Sequence, residues 1–358
     1  MNRDAIVGCI LGTAAGDAIG LPYEGLSRRR GARLFGQPDR HRLLLGRGMV
    51  SDDTEHTCLV AQSLVAAADD VDAFARGLAR RLRLWLLGVP AGVGWATLRA
   101  TLRLCVGVPP DRSGVFSAGN GPAMRSAVIG AAIDDRDRLR RFVRASTRIT
   151  HTDPKAEYGA LAVALAAQMA GRGKPVEGLE FTHAVREVLS DASADELLAI
   201  LDETVASALM GRSTPEFAAS IDLDKGVSGY VYHTVPVAIH AWLSHPNDFR
   251  SAVIDVVRCG GDTDTTGAIV GGLVGAAVGR PGIPPEWLAR LCEWPRTVGW
   301  MERLADRLHD ARSTGTPAEP PRLPAYGLVP RNLFFLLVVL LHGLRRLAPP
   351  YYWSLHCQ

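Results

Sequence analysis

Apolar residues recurring at three- and four-residue spacing constrain this chain more than any other feature. They run through 53–68, 71–87, 156–170, 194–210 and 266–278, which is the period of helices that each bury one face. Helix-start signals punctuate the runs. Asp153-Pro154 sets a capping side chain before a first-turn proline, and Asn120-Gly121-Pro122 repeats the device. Alternation of the β type is scarce, and its best case, 229–237, soon returns to a helical pattern. The expected fold is all-α, with one compact multi-helix domain over 1–312. A Pro/Gly/Thr-rich stretch over 313–331 reads as a linker, and 332–358 reads as an apolar tail. With 358 residues, 47% of them hydrophobic, the chain can bury a core of that size.

The longest unbroken apolar run, Leu333 to Leu341, falls short of the ~20 residues of a membrane span. The tail is therefore expected to dock on the body, with subunit pairing or a membrane surface as the other options. A monomer is expected, and a tail-mediated dimer is the alternative. The net charge of +3 is too small to argue for a stable nucleic-acid complex. The six cysteines show no C-x-x-C spacing, and all but Cys357 sit in apolar sequence, as buried free thiols do. That fits a reducing cytoplasm. Ile6-Val7-Gly8-Cys9 resembles a lipobox, but no apolar stretch of adequate length precedes it, so no signal peptide is expected.

Two acidic motifs carry the chemistry: Ser51-Asp52-Asp53-Thr54-Glu55 and Gly260-Gly261-Asp262-Thr263-Asp264-Thr265. Each precedes a helical run. Capping needs one side-chain oxygen per helix start, so each motif has a carboxylate to spare. Asp52-x-x-Glu55 alone reads as a capping box. The second motif changes that, because Gly260 and Gly261 allow a tight turn that aims both aspartates at one point. A cation at a helix N-terminus meets a positive dipole end, so carboxylates must outweigh it. Four aspartates, about −4 in formal charge, suffice for two divalent ions. The all-oxygen set suits Mg²⁺, accepts Mn²⁺, and does not suit zinc.

With Gly16-Asp17-Ala18-Ile19-Gly20-Leu21-Pro22-Tyr23-Glu24, Gly119-Asn120-Gly121-Pro122-Ala123-Met124-Arg125 and Thr150-His151-Thr152-Asp153-Pro154 in order between and around these motifs, the chain resembles the ADP-ribosylglycohydrolases, relatives of the dinitrogenase-reductase-activating glycohydrolase. The resemblance covers roughly residues 1 to 305 and leaves the tail outside. It implies an all-α fold with a binuclear Mg²⁺ site at the base of an ADP-ribose cleft. It implies Ser51, Asp52, Asp53, Asp262, Asp264 and Thr265 as metal ligands, and Glu24 as the acid/base carboxylate near the scissile bond. Gly119, Asn120 and Gly121 would approach a diphosphate through backbone N–H groups, and His151 would lie near the phosphates or the distal ribose. Arg125 is open between a substrate role and an internal bridge to Asp17 or another acid inside the fold. Tyr230 and Tyr232 are open between stacking on adenine and internal packing, the commoner use of aromatics in such a segment, and His233 stands where many relatives carry an acid.

The implied activity is removal of ADP-ribose from a modified protein, nucleic acid or small conjugate. The alternatives are a non-catalytic ADP-ribose binder or structural relative, and a binuclear-metal phosphohydrolase that cuts the diphosphate.

Overall fold

Gly8, Gly12, Gly16 and Gly20 fall at every fourth position of one helix, and Gly267, Gly271 and Gly275 do the same in another. In the computed structural model, which describes residues 2–189 and 191–347, these two helices, Arg3–Gly20 and Thr263–Gly282, run antiparallel with their glycine faces in contact. A Cβ on Gly8, Gly12 or Gly16 would lie 2.0–2.1 Å from the carbonyl oxygen of Gly275, Gly271 or Gly267 respectively. No side chain fits there, so the backbones touch, as in small-residue helix pairs. Gly20 meets Thr263 in the same way, and this last contact lays the N-terminus of one helix beside the C-terminus of the other. The seam thus fixes where Asp17 and the second acidic motif stand.

The remaining helices surround this pair. Asp52–Ala67, Pro154–Ala170, Val231–Ser244, Phe249–Val257 and Val298–Thr314 are the principal ones, and they share one continuous apolar core. The five expected runs become the helices Asp52–Ala67, Val71–Leu87, Pro154–Ala170, Asp195–Leu209 and Thr263–Gly282. The last loses regular geometry at Gly279, whose φ is 63°, one residue past the expected end. Asp153 caps its helix by accepting from the Lys155 N–H at 2.9 Å. Asn120 makes no such cap. The segment 229–237 is not a strand, since Val231–Ser244 is helical. The only strand pair among the described residues is Leu26–Ser27 against Gly260–Gly261.

The C-terminal region departs from expectation. The helix Val298–Thr314 enters the expected linker, and a new helix, Ala325–Leu347, begins inside it. This helix docks, burying Arg331, Asn332, Phe335, Val338 and His342. Its outer face leaves Leu333, Phe334, Leu337, Leu340, Leu341 and Leu344 exposed. Counting an unbroken apolar run understated it: by length and composition Tyr326–Leu347 is long enough to cross a membrane, although Arg331, Asn332 and His342 interrupt the run on the buried side. The comparably apolar Arg3–Tyr23 is the core helix, buried from Ala5 onward. Cys9, Cys58 and Cys259 are buried free thiols, but Cys105 and Cys292 are exposed, contrary to expectation. Both follow the last apolar turn before a loop. Pro349 through Trp353, and Cys357, lie outside the described residues.

Candidate active site

A cleft of about 510 Å³ opens where the two acidic motifs meet. Glu24, Ser51, Asp52, Asp262, Asp264 and Thr265 line it, as do Gly119, Asn120, Gly121 and His151. Asp53 is buried and does not line the cleft; its Oδ2 accepts from the hydroxyls of Ser51 at 2.9 Å and Thr265 at 3.3 Å. Residues more than 200 apart in sequence are thereby joined through one carboxylate.

The first motif is held from below. Ser51 caps helix Asp52–Ala67 by accepting from the Asp53 N–H. Asp17, wholly buried, accepts from the Ser51 N–H at 3.0 Å, the Thr54 N–H at 3.2 Å and the Thr54 hydroxyl. It is a second, external cap for the same helix start. Burial pushes the Asp17 carboxyl up to about 7 against the Thr54 and Ser51 hydrogen bonds that pull it down. One residue earlier, Val50 donates its N–H to Glu293 at 2.7 Å and accepts from Arg331 at 2.7 Å. Arg331 also pairs with Glu293 at 2.6 Å and with Glu55 at 3.2 Å, and Arg296 meets Glu55 at 2.7 Å. Burial alone would raise Glu55, but Arg296 and Arg331 outweigh it and hold its carboxyl low. The spare acid of the capping-box reading is thus a buried ion-pair member.

The second motif turns through Gly260 and Gly261, both at positive φ. A Cβ on Gly261 would meet the Val227 carbonyl oxygen at 2.0 Å. The short strand pair and the Gly25 N–H to Gly261 O bond at 2.7 Å tie the Glu24 turn to this motif. Asn120 donates to Asp262 Oδ2 at 2.6 Å and to the Thr234 hydroxyl at 2.9 Å. It therefore positions an aspartate and does not cap a helix.

The charge inventory bears on the metal question. Burial raises Asp52, Asp53 and Asp264 well above the usual carboxylate range, and each is raised further by its acidic neighbours. Glu24 is open to solvent at the cleft mouth, yet the surrounding walls desolvate it and raise its pKa, with Asp262 adding and Arg346 opposing. Asp53 Oδ1 and Asp264 Oδ1 are buried without a hydrogen-bond partner. Carboxylates this crowded, with orphaned oxygens, fit a hard divalent cation better than any hydrogen-bonded alternative on hand. The fit is of chemistry and location. Among the described residues no three acid, His or Cys side chains already converge as a ligand set.

The diphosphate loop differs from expectation. The Gly119 N–H is bonded to Ser117 Oγ at 3.3 Å and the Asn120 N–H to the Gly229 carbonyl at 3.0 Å, so both donors are spent. The helix that follows, Gly121–Met124, is a single turn and offers little dipole. The two glycines instead pack against the His151 ring, where their added Cβ atoms would lie 3.1 Å from it. His151 is held to about 3 by burial and by Arg125, so it is neutral and contributes a hydrogen bond, not a charge. Thr150 Oγ accepts from Arg125 at 2.7 Å and bonds His151 Nδ1 at 2.9 Å. All three groups are satisfied when Thr150 donates to Nδ1, which puts the imidazole proton on Nε2.

Arg125 is fully buried against His56, Ser146 and Thr150, so of the open alternatives an internal role is the one observed, without a bridge to Asp17. Tyr232 is buried, and neither Tyr230 nor Tyr232 lines the cleft. His233, bonded to Ser228 Oγ at 2.8 Å, does not line it either. Exposed aromatics that do line it are Trp95 and Phe116. Sequence reasoning missed them because neither belongs to a motif. It quoted Asp17 within a motif but missed its role as an external cap of the first acidic helix.

Comparison with known proteins agrees with this arrangement. The sequence model described as ADP-ribosylglycohydrolase matches residues 1–318. The ADP-ribosyl-[dinitrogen reductase] glycohydrolase of Rhodospirillum rubrum is 30% identical over 81% of this chain and 90% of its own length. The ADP-ribosylhydrolase ARH3 of Gallus gallus is 27% identical over 85% of this chain and 92% of its own. A solved structure described as an ADP-ribosylglycohydrolase-related protein complex superposes with a TM-score of 0.63 at 26% identity, covering 87% of this chain and 98% of that one. With its all-α fold and its paired acidic motifs at one cleft, the chain belongs to the ADP-ribosylglycohydrolase family of hydrolases.

Proposed function

We propose that this protein is a Mg²⁺-dependent ADP-ribosyl hydrolase that cleaves the N- or O-glycosidic bond between ADP-ribose and a modified acceptor, reversing mono-ADP-ribosylation. The observation that carries this reading is the desolvated, mutually repelling group of Asp52, Asp53 and Asp264, with Asp52 and Asp264 lining the same cleft as Glu24 and Asp53 buried behind them. Two Mg²⁺ ions, or Mn²⁺ in their place, would be held by Ser51, Asp52, Asp53, Asp262, Asp264 and Thr265. When bound they would supply neutralising charge, orientation of ribose hydroxyls and polarisation of a water.

The chain's own groups account for the rest. Glu24, with its pKa raised, is suited to take a proton from the attacking water or to give one to the departing acceptor atom as the bond at the anomeric carbon breaks. Asn120 fixes Asp262, and Asp17 fixes the start of the first acidic helix. Neutral His151, with Nε2–H toward the glycine loop, supplies a donor for a phosphate or ribose oxygen. Trp95 and Phe116 present flat apolar faces at the rim on which a base would stack. The buried, unbridged Cys9, Cys58 and Cys259 are compatible with a reducing cytoplasm.

The test is release of ADP-ribose from Arg-, Ser- and nucleic-acid-linked substrates, with Mg²⁺ and with EDTA. Release is expected with metal only, and Glu24→Gln should lower turnover by ~10²–10⁴-fold while ADP-ribose still binds. AMP as product would replace this reading with diphosphate cleavage. Tight ADP-ribose binding with no release from any substrate would replace it with a non-catalytic binder.

A further inference from the structure

The matched family region ends at residue 318, yet the helix Ala325–Leu347 reaches the cleft. Phe335 and Val339 line it. One turn further on, His342 Nε2 bonds the Pro22 carbonyl at 2.9 Å. Arg346 then donates to three backbone carbonyls of a single turn: Glu24 at 2.6 Å, Leu21 at 3.1 Å and Pro22 at 3.2 Å. The helix is itself fixed at this end, because Arg30 donates to the Arg346 carbonyl at 2.7 Å and the His342 ring stacks on Phe35 at 4.9 Å. Its other end is anchored through Arg331 to Val50, Glu55 and Glu293.

On the helix-facing side, His342 and Arg346 supply the side-chain bonds to the backbone of the turn Leu21–Tyr23. Within it, the Glu24 N–H reaches the Leu21 carbonyl at 3.3 Å, a long bond. On its far side the Gly25 N–H is tied to Gly261. The guanidinium of Arg346 therefore spans the carbonyls that set the direction in which Glu24 leaves the backbone. A planar fork with several donors suits that task, where a point charge would not.

We propose that the C-terminal helix is an integral wall of the cleft and that Arg346 is a positioning residue, clamping the 21–24 turn so that Glu24 faces the acidic motifs. The proposal rests on the catalytic assignment of Glu24 made above. Arg346 bonds the backbone of that turn and does not line the cleft.

The experiment compares wild type, Arg346→Ala, Arg346→Lys and, as an outer-face control, Leu344→Ala, in the full chain. Two readouts are taken: hydrogen exchange over residues 20–25, and steady-state kcat and KM for ADP-ribose release. In Arg346→Ala, exchange over 20–25 should accelerate while the core helices keep their protection. Turnover should fall by ~10–100-fold, the scale expected when a reacting group is misplaced by about an ångström, with KM changed by less than about threefold. Arg346→Lys should recover only part of kcat, and Leu344→Ala should match wild type. Unchanged exchange over 20–25 in Arg346→Ala, or a kcat within about twofold of wild type, overturns the proposal. A wild type that releases ADP-ribose from no substrate would defeat the glycohydrolase reading instead, and the exchange result would still decide whether Arg346 holds the turn.

Discussion

Two regions deliver the cleft by opposite means. The seam between Arg3–Gly20 and Thr263–Gly282 is held by bare backbone in contact, with glycines and no charge. The C-terminal helix is held by a buried ion network and by side-chain bonds to carbonyls, with an apolar face left outside. The first fixes positions by excluding every side chain, so it tolerates nothing and needs no partner. The second fixes them by directional bonds, so each member depends on the others. Close packing suits the rigid base that carries Asp17, Asp262 and Asp264. Directional bonds suit an attached wall that must set one turn, 21–24, beyond the apolar contact of Leu21 with Phe335 and Val338.

The sharpest way to break the comparison is to give the seam a side chain. Gly12→Val should have the largest effect of the three substitutions compared, since its Cβ would start 2.1 Å from the Gly271 carbonyl oxygen. The gain in helix propensity over glycine, under ~1 kcal/mol, is outweighed by an overpacking cost on the order of 4–5 kcal/mol. That is a large part of a typical domain's stability. Soluble yield and urea unfolding are the measurements, and a midpoint near that of wild type would mean that the helices can separate without loss.

The C-terminal attachment should fail differently. Arg331→Met keeps the volume and removes the charge, leaving Glu293 buried with the Val50 N–H as its main partner; the expected loss is about 3 kcal/mol. Glu55 suffers less, because Arg296 remains. The loss should also depend on pH. Burial already raises the Glu293 pKa, and removing Arg331 raises it further. A carboxyl with a raised folded pKa binds its proton more readily folded than unfolded, so its stabilising contribution is present at low pH and disappears as pH rises through the folded pKa. The variant should therefore recover toward wild type between pH 8 and pH 5. A loss that is flat across that range would mean that Glu293 finds another partner.

These contrasts also explain what could be read from the sequence. Asp52, Asp53, Asp262 and Asp264 were legible because each pair exceeded what a cap requires, and Glu24 because it ended a recognisable motif. Both features survive in local sequence. The glycine seam was present as a four-residue repeat, but isolated glycines in an apolar run also read as punctuation, and only the partner helix shows that they form a stripe. The capping role of Asp17 was hidden for a related reason: its donors, Ser51 and Thr54, are some 34–37 residues away, where no periodicity reaches. Arg331 fell inside a stretch read as linker from its prolines and glycines, although Pro330 sits within the helix. Composition reports chain stiffness locally, and a buried ion network is a tertiary fact. The spent N–H groups of Gly119 and Asn120 belong to the same class, since Gly229 lies more than a hundred residues from them.

The smallest expected effect tests the other half of the contrast. On the C-terminal helix the residues that hold are Arg331, Asn332, Phe335, Val338 and His342, whereas Leu333, Leu337, Leu340, Leu344 and Leu347 face away. If attachment is carried by the inner side alone, an outer leucine contributes almost nothing to the fold. Leu337, 53% exposed, is a fair choice because it sits midway along the helix, one turn from neither anchor. Leu337→Ser should change the urea midpoint by no more than about 0.5 kcal/mol in free energy, the range of ordinary surface substitutions, with a midpoint independent of protein concentration. A loss above about 1 kcal/mol, or a midpoint that rises with concentration in wild type and not in the variant, would show that this face is covered in solution. The helix would then be held from both sides, and the division between a self-sufficient seam and a bond-dependent wall would need to be redrawn.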